Sequence, residues 1–173
     1  MQSPKLLLIT GLSGAGKTTI ARLLQTRLIE RGCAVCLLDG DILRSGLCSD
    51  LDFTDQGRTE NIRRAGEVAR LFLQSRISVI VALIAPFRRD RRWMRSLVGQ
   101  DFVEIYVNLS LEECEKRDPK GLYKKARQGE LELFTGISSC YEPPLHPEIV
   151  CDTRTYTPEV CADRIMEYLD DVS

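Results

Sequence analysis

The stretch that most restricts what this chain can be is Gly11-Leu12-Ser13-Gly14-Ala15-Gly16-Lys17-Thr18, which satisfies G-x-x-x-x-G-K-[ST] in full. The apolar run Leu6-Leu7-Leu8-Ile9 precedes it, and Ile20, Leu23, Leu24 and Leu28 follow at helical spacing. Glycines let the backbone wrap phosphate oxygens with its N–H groups turned inward. Lys17 adds a point charge, and the Thr18 hydroxyl suits a phosphate-bound Mg²⁺. A helix beginning there aims its positive end at the same place. The bland reading is a glycine-rich turn between strand and helix; the residue pattern and the strand–helix context together outweigh it. The motif implies a nucleoside triphosphate and leaves open what receives the phosphate.

With 173 residues the chain is long enough for one domain, 1–173, and no second domain is expected. Its 24 Lys and Arg nearly cancel its 25 Asp and Glu, so no global field points to nucleic acid or a membrane surface. The bases are nonetheless grouped. Arg88, Arg89, Arg91, Arg92 and Arg95 form one cluster, and Lys116, Arg117, Lys120, Lys124, Lys125 and Arg127 another. Since a polyanionic ligand is already implied, both are expected to face it rather than to be solvated helix faces. The sequence shows no leader pattern and no run of membrane-spanning length, so a cytoplasmic protein is expected. Seven scattered cysteines suit a reducing compartment. Cys33-x-x-Cys36 falls where a strand should start, where residues three apart point to opposite faces, so neither a redox nor a zinc site is expected.

Along the chain, the first helix should end near Arg31, and Ala34 to Leu38 reads as a buried strand delivering Asp39-Gly40-Asp41 at its C-terminal end. Ligands bind at that end in open α/β sheets. Asp-Gly is also common turn chemistry. Residues 56–75 carry a helical apolar face, with Arg58, Arg63 and Arg64 in its early turns opposing the helix dipole, which suggests an anion nearby. Ile77 to Ile84 is a β-branched run expected of a central parallel strand. Trp93, Met94 and Leu97 read as core. Phe102 to Val107 is a further strand, Leu111 to Arg117 a short helix, and about 120–147 an irregular basic lid. His146 reads as loop surface. Glu148 to Cys151 is a last strand, and Thr157-Pro158 starts a C-terminal helix. The fold class is therefore α/β: a three-layer P-loop fold of about five parallel strands with helices on both faces. A guanine-nucleotide switch is disfavoured, since Asp118-Pro-Lys-Gly121 comes too late for D-x-x-G and no N-K-x-D exists. A small-molecule kinase is then the default. Its alternatives are other acceptors, such as a sugar, shikimate or a nucleoside monophosphate, and a nucleotide-binding module without transfer.

Several segments in order resemble the adenylyl-sulfate (APS) kinases. They are Gly11 to Thr19, Leu38-Asp-Gly-Asp41 with Arg44, Phe53 with Arg58-x-x-Asn61-Ile-Arg-Arg64, Pro86-Phe-Arg88, Arg117-Asp118 through Lys120-Gly-Leu-Tyr-Lys124 to Ala126-Arg127, and Phe134-Thr-Gly-Ile137. The resemblance spans Leu8 to about Pro147. It implies transfer of the ATP γ-phosphate to the 3′-hydroxyl of adenosine 5′-phosphosulfate. Under it Gly14 to Thr19, with Gly11 and Ser13, hold the ATP phosphates and Mg²⁺, and Arg117 lies against the ATP adenine. Asp39 and Asp41 flank the acceptor hydroxyl, with Asp41 as base or orienter. Arg44, Arg58 and Asn61 bind the phosphosulfate and ribose end. Phe53 and Phe134 sandwich the acceptor adenine, Ile84 and Ala85 line its pocket by backbone, and Lys120 reaches in from the lid. Without the resemblance the two phenylalanines would pass as ordinary core. Many relatives have Ser where this chain has Ala85, so a covalent phosphoserine route is closed and direct in-line transfer is expected. No sulfurylase domain is attached, so a stand-alone kinase is expected, and a homodimer is the expected assembly.

Overall fold

A computed structural model describes residues 3–172. β1 (Leu6–Thr10), α1 (Lys17–Glu30), β2 (Val35–Asp39), α2 (Gly40–Ser45), α3 (Asp55–Gln74), β3 (Ser78–Ala82), α4 (Arg88–Val98), β4 (Phe102–Asn108), α5 (Leu111–Arg117), α6 (Leu122–Arg127), β5 (Ile149–Asp152) and α7 (Pro158–Asp171) follow in order, with a 3₁₀ turn at Gly99–Asp101. The five strands form one parallel sheet in the order β2-β3-β1-β4-β5. β1 is central and buried along its whole length. Alternation along it feeds two cores. Leu7 and Ile9 pack with Ile20, Leu24 and Ile165 from α1 and α7, whereas Leu6 and Leu8 pack with Ile62, Ala65 and Met94 from α3 and α4. The expected layers are therefore present, with element ends within two or three residues of the sequence reading.

Two local features set the shape of the site. Gly66 on α3 lets α4 approach closely, because a Cβ there would sit 2.9 Å from the Trp93 ring; Trp93 and the fully buried Met94 are core, as the sequence suggested. Asp39-Gly40-Asp41 is not a simple turn. Asp39 caps α2, its carboxylate accepting from the Asp41 N–H at 2.9 Å, so the Asp39 carboxylate and the Asp41 backbone are fixed at the sheet's C-terminal edge.

The first arginine cluster corrects the sequence expectation. Arg91 is buried against Glu104, Arg95 pairs with Glu148 at 2.7 Å, and Arg88 donates to the Pro143 carbonyl. These partners lie far along the chain, so sequence proximity among the arginines said nothing about what they face. In the second cluster Lys116 pairs with Glu112 and Glu113, and Arg127 with Glu115. Only Arg117 and Lys120 of that cluster reach the cavity described below. Arg63 and Arg64 are likewise satisfied by Glu60 and Asp50. All seven cysteines are free, and His146 is exposed.

Candidate active site

A cavity of about 780 Å³ opens at the C-terminal edge of the sheet, between the β1–α1 loop, α2, the start of α3, the residues after β3, and the segment 117–135. The loop residues Ser13, Gly14, Gly16, Lys17, Thr18 and Thr19 line one wall. Gly11 and Ala15 do not. Gly11 lies against β4, where an added Cβ would come within 2.5 Å of the Val107 carbonyl oxygen, and Ala15 is fully buried. Their part is to shape the loop. Gly14 and Gly16 take φ of 76° and 107°, the left-handed region that glycine adopts without a steric penalty.

Lys17 points back on the loop and donates to the Leu12 carbonyl at 2.7 Å. Desolvation by burial is the largest influence on its ammonium, and lowers its pKa from 10.5 to about 8. Thr18 donates its hydroxyl to Asp39 at 2.8 Å, while the other Asp39 oxygen accepts from Asp41 N–H. Asp39 is buried and fully engaged in holding these two groups. Asp41 is its opposite, an exposed carboxylate whose partner is the Lys120 ammonium. The lid thus already touches the acid at the sheet edge.

The second wall carries Arg44, Phe53, Arg58, Asn61, Ile84, Ala85 and Phe134. Arg44 donates to the Leu51 and Asp52 carbonyls, both at 2.7 Å, and Arg58 to Phe53 and Leu133 at 3.0 and 2.5 Å. Both guanidiniums flank the Phe53 ring, at 4.5 and 5.5 Å from its centroid. Burial lowers the pKa of each, and at Arg58 the neighbouring Arg44 adds to it. Asp52 raises the first and Asp55 the second, yet neither forms an ion pair with these guanidiniums among the described residues, so two partly desolvated cations stand side by side on this wall. Phe53 stays half exposed, at 54%, so its ring is available to a planar ligand. The Asn61 side-chain oxygen is buried and has no protein partner.

Residues after β3 form a stiff wall. The carbonyls of Ile84, Ala85 and Pro86 accept from three separate donors: the Thr10 hydroxyl at 2.6 Å, Arg91 at 2.6 Å and the Glu142 N–H at 2.9 Å. Ala85 is held at φ 44°, a left-handed conformation costing a non-glycine residue roughly 1–2 kcal/mol. Sequence reasoning gives no role to Tyr123, to Thr153, or to Tyr141, whose hydroxyl meets that of Thr10 at 3.0 Å behind this wall. Thr153 donates to the Ala15 carbonyl at 2.9 Å and accepts Arg117, whose guanidinium also donates to the Thr153 carbonyl at 2.6 Å. A threonine just past a strand carries no sequence signal for this. Tyr123 falls within the Lys120-Gly-Leu-Tyr-Lys124 segment that carries the resemblance, but nothing in the sequence shows that it is buried with its hydroxyl donating to the Ser13 carbonyl at 2.9 Å.

Donors, cations and a β1–loop–α1 phosphate cradle at the edge of a parallel sheet define a P-loop nucleotide-binding protein of the kinase type. The adenylylsulphate kinase family model matches residues 3–152. The chain is 52% identical over 170 residues to the adenylyl-sulfate kinase of Pseudomonas aeruginosa, covering 98% of this chain and 87% of that protein. It therefore belongs to the adenylylsulphate kinase family. Among solved structures it is similar to the Mycobacterium tuberculosis APS kinase in complex with AMPPNP and APS, with a TM-score of 0.93 and 39% identity over 98% of this chain and 99% of that one. It is also similar to a hexameric APS kinase from Thiobacillus denitrificans, with a TM-score of 0.75 and 34% identity, over 98% of this chain and 29% of that one.

Proposed function

We infer that this protein transfers the γ-phosphoryl group of ATP to the 3′-hydroxyl of APS, releasing ADP and 3′-phosphoadenosine 5′-phosphosulfate. The observation that carries this is a single cavity in which a phosphate loop faces an exposed Asp41 and, beyond it, two paired arginines around an open phenyl ring. ATP phosphates fit the 11–19 loop, with Lys17 leaving the Leu12 carbonyl for them and Arg117 beside the base. APS fits the other wall: Phe53 and Phe134 for adenine, Arg44, Arg58 and Asn61 for the charged and ribose end, and the Ile84–Ala85 backbone as its floor.

Phosphoryl transfer needs placement and charge neutralisation more than covalent help. The 3′-oxygen attacks the γ-phosphorus, the bond to the β-bridging oxygen breaks, and the hydroxyl proton passes to Asp41. Lys120 holds that carboxylate in the free protein and is carried by the lid toward the transferring group. Asp39 acts through Thr18 and Asp41 as a positioning residue. Ala85 has no hydroxyl to take a phosphate, so transfer is direct.

Mg²⁺ fits the donor set. Thr18 and Asp39 supply only oxygen, and among the described residues no group of three or more His, Cys, Asp or Glu forms a metal cage. That suits an ion that keeps its waters and arrives with phosphates. When bound it would neutralise charge across the β- and γ-phosphates. We place the enzyme in the cytoplasm as a single kinase domain; no helix among the described residues is long and apolar enough to cross a membrane. A homodimer is our reading of its assembly, supported by exposed apolar side chains such as Ile42 and Leu71.

The test is ADP formation with ATP and Mg²⁺, with and without APS. Turnover should depend on APS over a panel of sugars, shikimate and nucleoside monophosphates. Asp41→Asn should lower kcat by roughly 10²–10⁴-fold, the usual worth of a placed acid–base group. ADP formation indifferent to APS, or an Asp41→Asn enzyme at wild-type rate, refutes the reading.

A further inference from the structure

Among the described residues the carboxylates lining the main cavity are Asp39, Asp41, Asp118 and Glu132. The first three are engaged. Asp39 accepts from Thr18 and the Asp41 N–H, Asp41 meets Lys120, and Asp118 accepts from the N–H groups of Tyr123 and Lys124 at the start of α6, both at 3.1 Å. Glu132 has no hydrogen bond or ion pair among the described residues. On the other side of Phe134, Thr135 lines the same cavity, is 1% exposed, and has a hydroxyl without a partner. The backbone between them is held. Arg58 donates to the Leu133 carbonyl, the Phe134 N–H donates to the Ser138 hydroxyl at 2.9 Å, and the Phe134 carbonyl accepts from Ile137, Ser138 and Ser139 N–H at 3.0–3.1 Å. The Tyr123 ring meets the Phe134 ring edge-on, with centroids 4.9 Å apart. Two polar groups without protein partners thus flank a fixed aromatic ring.

We propose that Glu132 and Thr135 read the edge of the acceptor's adenine, Glu132 accepting from the 6-amino group and Thr135 donating to a ring nitrogen, and so select the base of the acceptor. The proposal rests on the reading given above, that Phe134 stacks on APS. Stacking by itself selects little, because every base has a π-face. Edge contacts must do the selecting. A carboxylate only accepts, and so do phosphate and sulfate oxygens, so an unpaired Glu132 is repelled by the charged end of either ligand and needs a donor. APS offers its two ribose hydroxyls and the 6-amino group. The 3′-hydroxyl belongs to Asp41, and the ribose end to Arg44, Arg58 and Asn61, which leaves the amino group. Glu132 is two residues from Phe134, at most about 7 Å along the chain, and so stands at the rim of a base stacked on that ring. A threonine hydroxyl can donate as well as accept, which suits the ring nitrogens on either side of the amino group. The adenine of ATP lies at the other end of the cavity, beside Arg117, and is not read by this pair.

The experiment compares APS with its 6-deamino analogue, purine riboside 5′-phosphosulfate, as acceptors for the full chain at saturating ATP and Mg²⁺. The wild type should favour APS by roughly tenfold in kcat/KM, the worth of a hydrogen bond to a charged group, with the difference in KM. Glu132→Ala should raise KM for APS by about that factor and leave KM for the analogue within about twofold, so that the two acceptors become equal. KM for ATP and kcat should stay within about twofold, since the chemistry lies at the far end of the acceptor. Thr135→Val keeps the shape and removes the orphaned hydroxyl. It should raise KM for both acceptors about threefold or more while stability stays at or above that of the wild type, a combination that loss of folding does not produce. A Glu132→Ala enzyme that binds APS more tightly shows a carboxylate that merely repels the acceptor, and one with the wild-type preference for APS shows a solvated lid residue; either overturns the proposal. A Thr135→Val enzyme with wild-type KM overturns the part given to the hydroxyl. A wild type that turns over neither acceptor overturns the acceptor assignment itself, and the base reading with it.

Discussion

Replacing Arg91 by leucine tests whether the wall after β3 is held as described. The Arg91 guanidinium donates to Glu104 at 2.7 Å, to the Ala85 carbonyl at 2.6 Å and to the Glu142 carbonyl at 2.7 Å. Arg91 is 2% exposed and Glu104 8%. With leucine there, Glu104 keeps only Arg95, 3.7 Å away and already committed to Glu148 at 2.7 Å. Two inward carbonyls lose their donor as well. Removing one partner of a buried pair costs about 3–5 kcal/mol. Arg95 offsets part of this, so we expect about 3–4 kcal/mol. For a chain of this size about 1 kcal/mol moves Tm by about 2–4 °C, giving a fall of roughly 6–16 °C. Urea unfolding with an unchanged m-value would confirm that the folded state is what changed. In Arg91→Leu with Glu104→Leu, no carboxylate is stranded, and about half the loss should return. Because Arg91 also fixes Ala85 in its strained conformation, KM for APS should rise further than KM for ATP. The reasoning fails if Arg91→Leu stays within about 1 kcal/mol of wild type, or if the cycle with Glu104 shows coupling under about 0.5 kcal/mol.

Lys17 gives a pH dependence with a definite sign. Its folded pKa is about 8 against 10.5 for an ordinary lysine, and bound phosphates hold the proton on. ATP binding should therefore take up protons near pH 8–9 and weaken as pH rises through about 8, with no uptake near pH 6.5. Calorimetry in two buffers of different ionisation enthalpy measures this, and proton release on binding would refute it. The unfolded chain holds more protons between about pH 8 and 10.5, so this group alone makes stability climb with pH across that window. Phe53→Ala should leave stability and ATP binding near wild type, since the ring is half exposed. It should raise KM for APS by about 5–150-fold, the equivalent of the ~1–3 kcal/mol that base stacking provides. Equal effects on both substrates would count against the stacking assignment.

The legible parts of the site are those where function is local in sequence. A phosphate cradle is built from eight consecutive residues, so Gly11 to Thr18 could be read directly, and Asp39 and Asp41 followed from their place at a strand's end. The arginines of α4 show the limit. Five basic side chains in eight positions look like an anion site until Glu104, from β4, and Glu148, just before β5, arrive beside Arg91 and Arg95. Arg44 and Arg58 instead donate to backbone carbonyls and flank the Phe53 ring, and nothing in their own segments says so.

By itself the sequence determined the alternation of strands and helices, through apolar spacing, and the family, through ordered short motifs whose glycines and charges tolerate few substitutes. Only the tertiary structure decided the strand order, the different duties of the two aspartates, and the contacts of Tyr123, Thr153 and Arg91. Those depend on distances between residues separated by up to 138 positions, as with Thr153 and Ala15. A chain's local pattern fixes which face of an element is apolar; which polar groups then meet is set only when the packed layers bring their ends together.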